Sequence, residues 1–187
     1  GQLVWGTYYG GNDHDFIGDV TVDSLNNIYI TGHTQSTDLP ISLTAHNKVL
    51  DSLESAFLGV FDSTGNLIHS TYYGYGNYDG GMGVEVAFDG SVFMNGYTAS
   101  NNEIAYGNSN QATLGGQKDG FIVKFSKDYL PIWGSYIGGS SIDECMGISL
   151  DDSLNVLVAG NTSSNNQIAT NGSYQDSLNG SDDAFMI

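Results

Sequence analysis

Arginine is missing altogether, and only four lysines stand against 21 acidic residues, for a formal charge of −17. Such a surface repels phosphate backbones and anionic lipid, and it lacks the guanidinium fork that grips phosphate bidentately. Nucleic acid is excluded as a partner on that ground. Cysteine is nearly absent too: Cys145 stands alone, so no internal disulfide can form, and its place in an apolar run suggests a small buried hydrophobe. Proline occurs twice in 187 residues. No apolar run approaches the roughly 20 residues a bilayer-spanning helix needs, so membrane insertion is not expected. No leader-like segment opens these residues. The acidic excess has two readings, solubility in a salty or extracellular medium and cation binding.

What is present is a repeat. Val4-Trp5-Gly6-Thr7-Tyr8-Tyr9-Gly10-Gly11 returns as Ile68-His69-Ser70-Thr71-Tyr72-Tyr73-Gly74-Tyr75, and again as Ile132-Trp133-Gly134-Ser135-Tyr136-Ile137-Gly138-Gly139. Other positions keep the same register: Asp15, Asp79 and Asp143; Gly32, Gly96 and Gly160; Thr34, Thr98 and Thr162; Phe57, Phe121 and Phe185. A fixed period marks one supersecondary unit written several times. Here it divides the chain into residues 1–64, 65–128 and an incomplete 129–187, all within one domain.

Each unit holds four strand-like segments. In the first they are Leu3–Tyr9, Ile17–Asp23, Ile28–Gly32 and Ala56–Phe61, with Ser24-Leu25-Asn26-Asn27 supplying hairpin chemistry, since Asn tolerates the left-handed backbone of a tight turn. The second unit repeats them at Val84–Ala87, Val92–Asn95 and Phe121–Phe125, the third at Ile148–Leu150, Val156–Ala159 and Ala184–Ile187. A polar connection over residues 35–54 has room for one helical turn near Thr44–Leu53. Runs such as Ile28-Tyr29-Ile30 and Val156-Leu157-Val158 are apolar on both faces, which suits strands sandwiched between sheets. Four antiparallel strands per unit, radially repeated, describe an all-β propeller blade. Three blades fall short of the 4–8 of a closed ring. The expectation is a fragment of a larger propeller, with further blades from the same chain or a second chain.

The residues also carry a resemblance. The pattern Trp-x-x-Tyr-x-Gly-Gly, then Asp, a Val-x-Val-Asp hairpin, Tyr-x-x-Gly-x-Thr and Asp-Ala-Phe resembles the SBBP β-propeller repeat. It reads here as Trp5–Gly11, Asp15, Val20–Asp23, Tyr29–Thr34 and Asp183-Ala184-Phe185, with His69 for tryptophan and Ala87 for aspartate in the second unit. The resemblance implies a secreted or cell-surface protein of the kind found in Bacteroidota, carried by type IX secretion and linked to adhesion. It brings no enzymatic activity and no cofactor.

By analogy with other propellers, Ile17–Asp23 is the innermost strand of its blade and Leu67–Tyr73 the outermost, so the chain would start with an outer strand. The loops around Asp13-His14-Asp15, Asn77–Asp79 and Asp143-Glu144, and the long loops 35–54, 99–118 and 163–182, then share one face. Loops on a rigid frame are where binding resides. Asp15, Asp79 and Asp143 have two readings: carboxylates capping loop N–H groups, or Ca²⁺ ligands. His14, His33, His46 and His69 occupy unrelated positions and suggest no shared catalytic role.

The triplet Asp-Ser-(Leu or Thr) places Ser24, Ser52, Ser63, Ser153 and Ser177 in expected turns or loops and resembles the O-glycosylation signal of secreted Bacteroidota proteins. The alternative is ordinary turn chemistry. Asn161, Asn171 and Asn179 fit the N-glycosylation triplet. These features favour a non-enzymatic extracellular module that binds surface glycan or other surface and secretion proteins. The competing class is a propeller enzyme that acts on polysaccharide through paired acidic loop residues.

Overall fold

In the second unit both faces of the apolar runs are covered, because a sheet stacks on either side, whereas Leu157 in the third is exposed. The computed structural model describes residues 1–187 and is all β. Blade 1 comprises β1 (Asp15–Val22), β2 (Ile28–Thr34), β3 (Ser55–Phe61) and β4 (Leu67–Tyr73), in that spatial order. Blade 2 repeats it with β5 (Asp79–Val86), β6 (Val92–Thr98), β7 (Asp119–Phe125) and β8 (Pro131–Ile137). Blade 3 has β9 (Asp143–Leu150), β10 (Val156–Thr162) and β11 (Asp183–Met186). Every pairing is antiparallel. The inner strand of each blade packs against the face of the blade before it, β5 on β1–β3 and β9 on β5–β7. This is the arrangement of successive propeller blades.

The inner strands begin earlier than their apolar residues suggest. Asp79-Gly80-Gly81-Met82-Gly83 has little strand propensity, yet the ladder to β6 makes it strand. Each inner strand also carries a bulge at the same place, around Gly18, Met82 and Met146. That bulge explains the periodic glycine of the second strand. A Cβ on Gly32, Gly96 or Gly160 would fall 1.8–2.0 Å from the carbonyl oxygen of Phe16, Gly80 or Glu144, a backbone clash that nothing can relieve.

Two expected elements are absent. Residues 44–53 form turns and an isolated bridge at Asn47 rather than a helical turn, because Asn47 is engaged with the outer strand: its N–H donates to the Thr71 hydroxyl and its carbonyl accepts from Tyr72 N–H. In blade 2, Tyr106 and Gly134 exchange N–H···O bonds at 3.1 and 3.2 Å. The long loops therefore fold over the outer strand of their own blade and cover an edge that would otherwise be open to another chain. Leu3–Tyr9 is not a strand either, since it has no ladder partner. It lies against blade 1, where the Trp5 indole N–H donates to Ser63 O and the Tyr9 hydroxyl meets Ser70 Oγ.

Between blades 1 and 2 the core interleaves Ala56, Leu58, Val60 and Tyr73 with Val84, Met94, Phe121, Val123 and Phe125. Phe57 turns the opposite way and joins Ile30, Leu39, Phe61 and Tyr72. Phe185 meets Ile122, Cys145 and Val158 between blades 2 and 3. All three periodic phenylalanines are buried, and so is the Cys145 thiol, whose pKa burial pushes up. Phe121 is wholly enclosed and stacks 5.3 Å from Tyr73. Phe121→Ala should therefore cost about 3–5 kcal/mol. Chemical denaturation measures it, and a loss under about 1 kcal/mol would contradict this packing.

Candidate functional site

Asp15, Asp79 and Asp143 open the innermost strands, and each sits at the centre of the same bracket. The Thr34 hydroxyl donates to Asp15 Oδ1, the Ser36 hydroxyl to Oδ2 at 3.0 Å and the Gly11 N–H to Oδ2 at 2.8 Å. Thr98 and Ser100 serve Asp79 in the same way, and Thr162, Ser164 and Gly139 N–H serve Asp143. The serine is itself held, since its N–H donates to the threonine hydroxyl at 2.9–3.0 Å in all three blades. Each bracket ties the loop that arrives from an outer strand to the first and second strands of the next blade. Ser36, Ser100 and Ser164 were not singled out in the sequence, although they recur at the same period two residues after the threonine.

The carboxylates stand in successive blades, and no group of three or more His, Cys, Asp or Glu side chains comes together. A calcium ion at any one of them would have to displace hydroxyl and amide donors already aimed at its oxygens. Burial pushes the Asp79 carboxyl up to about 6, partly offset by the Thr98 and Ser100 hydroxyls. A second clamp, unrecognised in the sequence, closes the long loops. Asp119 accepts from Gln111 Nε2 at 2.7 Å and from the Gly115 and Gly116 N–H groups, and Asp183 accepts from Gln175 Nε2 and Asn179 N–H.

The bracket face carries a row of side chains that crosses the blades. Phe16, 54% exposed, stacks 4.9 Å from His33, and His33 lies 6.4 Å from Tyr97. The Tyr97 hydroxyl donates to Glu54 Oε1 at 2.8 Å, while Lys118 Nζ sits 4.5 Å over the Tyr97 ring and 2.9 Å from Glu144 Oε1. Gly80 makes room for the tyrosine, because a Cβ there would meet its ring at 2.4 Å. The row therefore offers three rings, Phe16 exposed and His33 and Tyr97 half-buried, flanked by carboxylates and one ammonium. The other histidines are scattered: His14 is exposed beside Phe16, His46 bonds the Tyr106 hydroxyl, and His69 is buried in β4.

Of the five triplet serines, Ser24, Ser63, Ser153 and Ser177 are exposed. Ser52 departs from expectation, since its hydroxyl is buried without a hydrogen-bond partner. Turn chemistry is evident at three sites. Asp23 accepts from the Leu25 and Asn27 N–H groups, Asp62 from Thr64 and Asn66, and Asp151 from Ser153 and Asn155. These bonds hold the exposed Asp62 and Asp151 carboxyls below the usual range, led by the Thr64 and Asn155 side chains respectively. In the third unit the turn carboxylate is Asp151 rather than Asp152, the aspartate of the triplet.

Fold and brackets together define a β-propeller built of like blades. The family model described as the SBBP β-propeller repeat matches residues 4–40 and 132–166, which begin two 64-residue periods apart. That match supports this repeat type for the chain. The second unit, with His69 and Ala87 at two of the pattern positions, is not among the matched residues. No curated protein matches the chain.

The shifted Asp79 yields a pH prediction. Its folded pKa stands above the unfolded one, so its stabilising contribution is fully present below the unfolded value and is lost as the pH rises through about 6. The midpoint of urea unfolding should fall between about pH 4 and pH 7, and Asp79→Asn should flatten part of that fall. An identical slope in the variant would remove Asp79 as its source.

Proposed function

We propose that this chain is a non-enzymatic extracellular or cell-surface β-propeller module that binds a surface glycan or protein partner in adhesion or scaffolding. The row Phe16, His33, Tyr97, Lys118 and Glu144 carries this reading. An exposed ring on a rigid sheet end gives a sugar or a protein side chain a stacking surface, and the adjacent carboxylates accept hydrogen bonds from hydroxyl or amide groups. The periodic carboxylates are engaged in holding loops, which argues for a frame rather than a set of reacting groups. The −17 charge suits a soluble module outside the cell. Origin in Bacteroidota and export by type IX secretion fit the resemblance of the repeat, and the four exposed triplet serines fit O-glycosylation there.

A glycan array combined with product analysis tests this function. Binding without product release, weakened by Phe16→Ala with the fold intact, is the expected result. Release of sugar that stops on an Asp→Asn change in the loops would instead establish a polysaccharide-acting enzyme. Peptide mass spectrometry of native material should find glycans on at least two of Ser24, Ser63, Ser153 and Ser177. Unmodified masses at all four would remove the modification reading.

A further inference from the structure

The loop that enters the inner strand is built alike in blades 1 and 3 and differently in blade 2. In blade 1 the Asn12 N–H donates to Asp38 Oδ1 and the Asp13 N–H to Ser36 Oγ, both at 2.8 Å. In blade 3 the Ser140 N–H donates to Asn166 Oδ1 at 3.1 Å and the Ser141 N–H to Ser164 Oγ at 2.9 Å. Side-chain oxygens from the facing loop thus shut these two brackets. The corresponding residues of blade 2 are Gly76, Asn77, Asn102 and Ser100. Neither bond forms there, and the Gly76 and Asn77 N–H groups have no acceptor in the chain.

Tyr75 is the cause. Its counterparts are Gly11 and Gly139, and a Cβ on them would fall 2.2 Å from Asp38 Oδ1 and 2.3 Å from the Asn166 carbonyl oxygen respectively. No side chain fits at that position while the loop is shut. Blade 2 accommodates the tyrosine by turning the backbone on both sides of it into the left-handed region. Gly74 takes φ +108° and Gly76 φ +87°, whereas Gly10, Gly11, Gly138 and Gly139 stay outside that region. Asn77 holds the opened loop, its carboxamide donating to Ala99 O at 3.3 Å and its carbonyl accepting from Glu54 N–H at 3.4 Å. Between the parted loops lies a cleft of about 140 Å³, bordered by Tyr75, Gly76, Asn77, Ser100, Asn101 and Asn102. It belongs to the blade that has a sheet packed on either side.

We propose that this cleft is a glycan subsite that takes the acetamido group of an N-acetylated amino sugar. The inference rests on the reading of the chain as a glycan-binding module and names the sugar chemistry. In the shut brackets the same two N–H positions receive a carboxylate or carboxamide oxygen and a hydroxyl oxygen from the chain itself. An acetamido carbonyl is the matching acceptor from outside. The exposed Asn101 and Asn102 carboxamides offer an acceptor for the acetamido N–H and donors for ring hydroxyls. Tyr75, 41% exposed, gives the sugar face a ring to stack on. A uronic acid would present its carboxylate to the same N–H pair, but no lysine borders the cleft and the −17 charge of the chain disfavours an anion. Pockets that enclose a whole ligand run to about 300–1,000 Å³. The smaller cleft suits one substituent, with the sugar ring lying outside it against Tyr75.

Two pairs of disaccharides that differ only in acetamido groups test this by titration calorimetry: N,N′-diacetylchitobiose against cellobiose, and N-acetyllactosamine against lactose. At least one acetamido member should bind about tenfold or more tighter than its twin, because the twin leaves the N–H pair without its acceptor. Tyr75→Gly gives blade 2 the residue of the other two blades and should let Asn102 shut the loop as Asn166 does, abolishing the difference. Tyr75→Phe keeps the Cβ and the ring and should retain it. Both changes lie in an exposed loop, and an unchanged circular dichroism spectrum shows the fold intact. Equal affinities within both pairs, absence of binding included, overturn the inference. A difference that survives Tyr75→Gly does so too. The glycan array separates this failure from that of the wider reading. Array binding that ignores both acetamido groups and Tyr75→Gly overturns the subsite alone, whereas a blank array removes the glycan-binding function with it.

Discussion

A sheet that is apolar on both faces cannot persist alone in water, and everything else in this fold follows from that constraint. Ala56, Leu58 and Val60 point one way from β3 while Phe57 and Phe61 point the other, and all five are buried. Each blade therefore needs a neighbour on either side. Stability resides in the interfaces between blades, as in other repeat proteins whose units touch only those next to them. The outward step from blade to blade also separates the chemistry. Apolar residues fill the spaces between sheets, so polar residues are left at the strand ends, where the loops leave.

At those ends the fold treats polar groups in two ways. Carboxylates that recur with the period accept N–H and hydroxyl donors and hold loops in place: Asp15, Asp79 and Asp143 at the inner strands, Asp119 and Asp183 at the third. Groups that do not recur, such as Phe16, His33, Tyr97 and Lys118, form a row that differs from blade to blade. A binding surface on a repeat protein needs such asymmetry, because identical blades present identical chemistry. The exposed ring of Phe16 belongs to blade 1 alone; the same register holds Gly80 in blade 2 and Glu144 in blade 3. Position within the period thus separates frame from recognition more sharply than residue type does.

The fold was legible because period and packing are the same fact. Phe57, Phe121 and Phe185 recur since each fills the same inter-blade space, and Gly32, Gly96 and Gly160 recur since each lies beneath the same bulge. What escaped was less local. The glycine-rich start of β5 has no strand character without β6 beside it. Ser36, Ser100 and Ser164 looked like loop residues because their partners lie 21 positions away in the chain. Asn47 and Tyr106 gave no hint that a polar loop would fold back onto an outer strand. Ser52 sat in a convincing surface triplet, yet its hydroxyl is buried.

Leu3–Tyr9 shows most plainly what sequence pattern can and cannot establish. It has the alternation and aromatic content of β4 and β8, and its residues take the matching contacts on the face toward blade 1. Trp5 and Tyr9 are anchored there by Ser63, Ser70, Phe57 and Phe61. Tyr8, one residue out of phase, points the other way and meets nothing. Period-two geometry puts adjacent side chains on opposite sides of a strand, so half of the segment is packed and half is exposed. Strand character belongs to the ladder and not to the segment. The side chains of Trp5 and Tyr9 are placed, and the backbone between them joins no ladder.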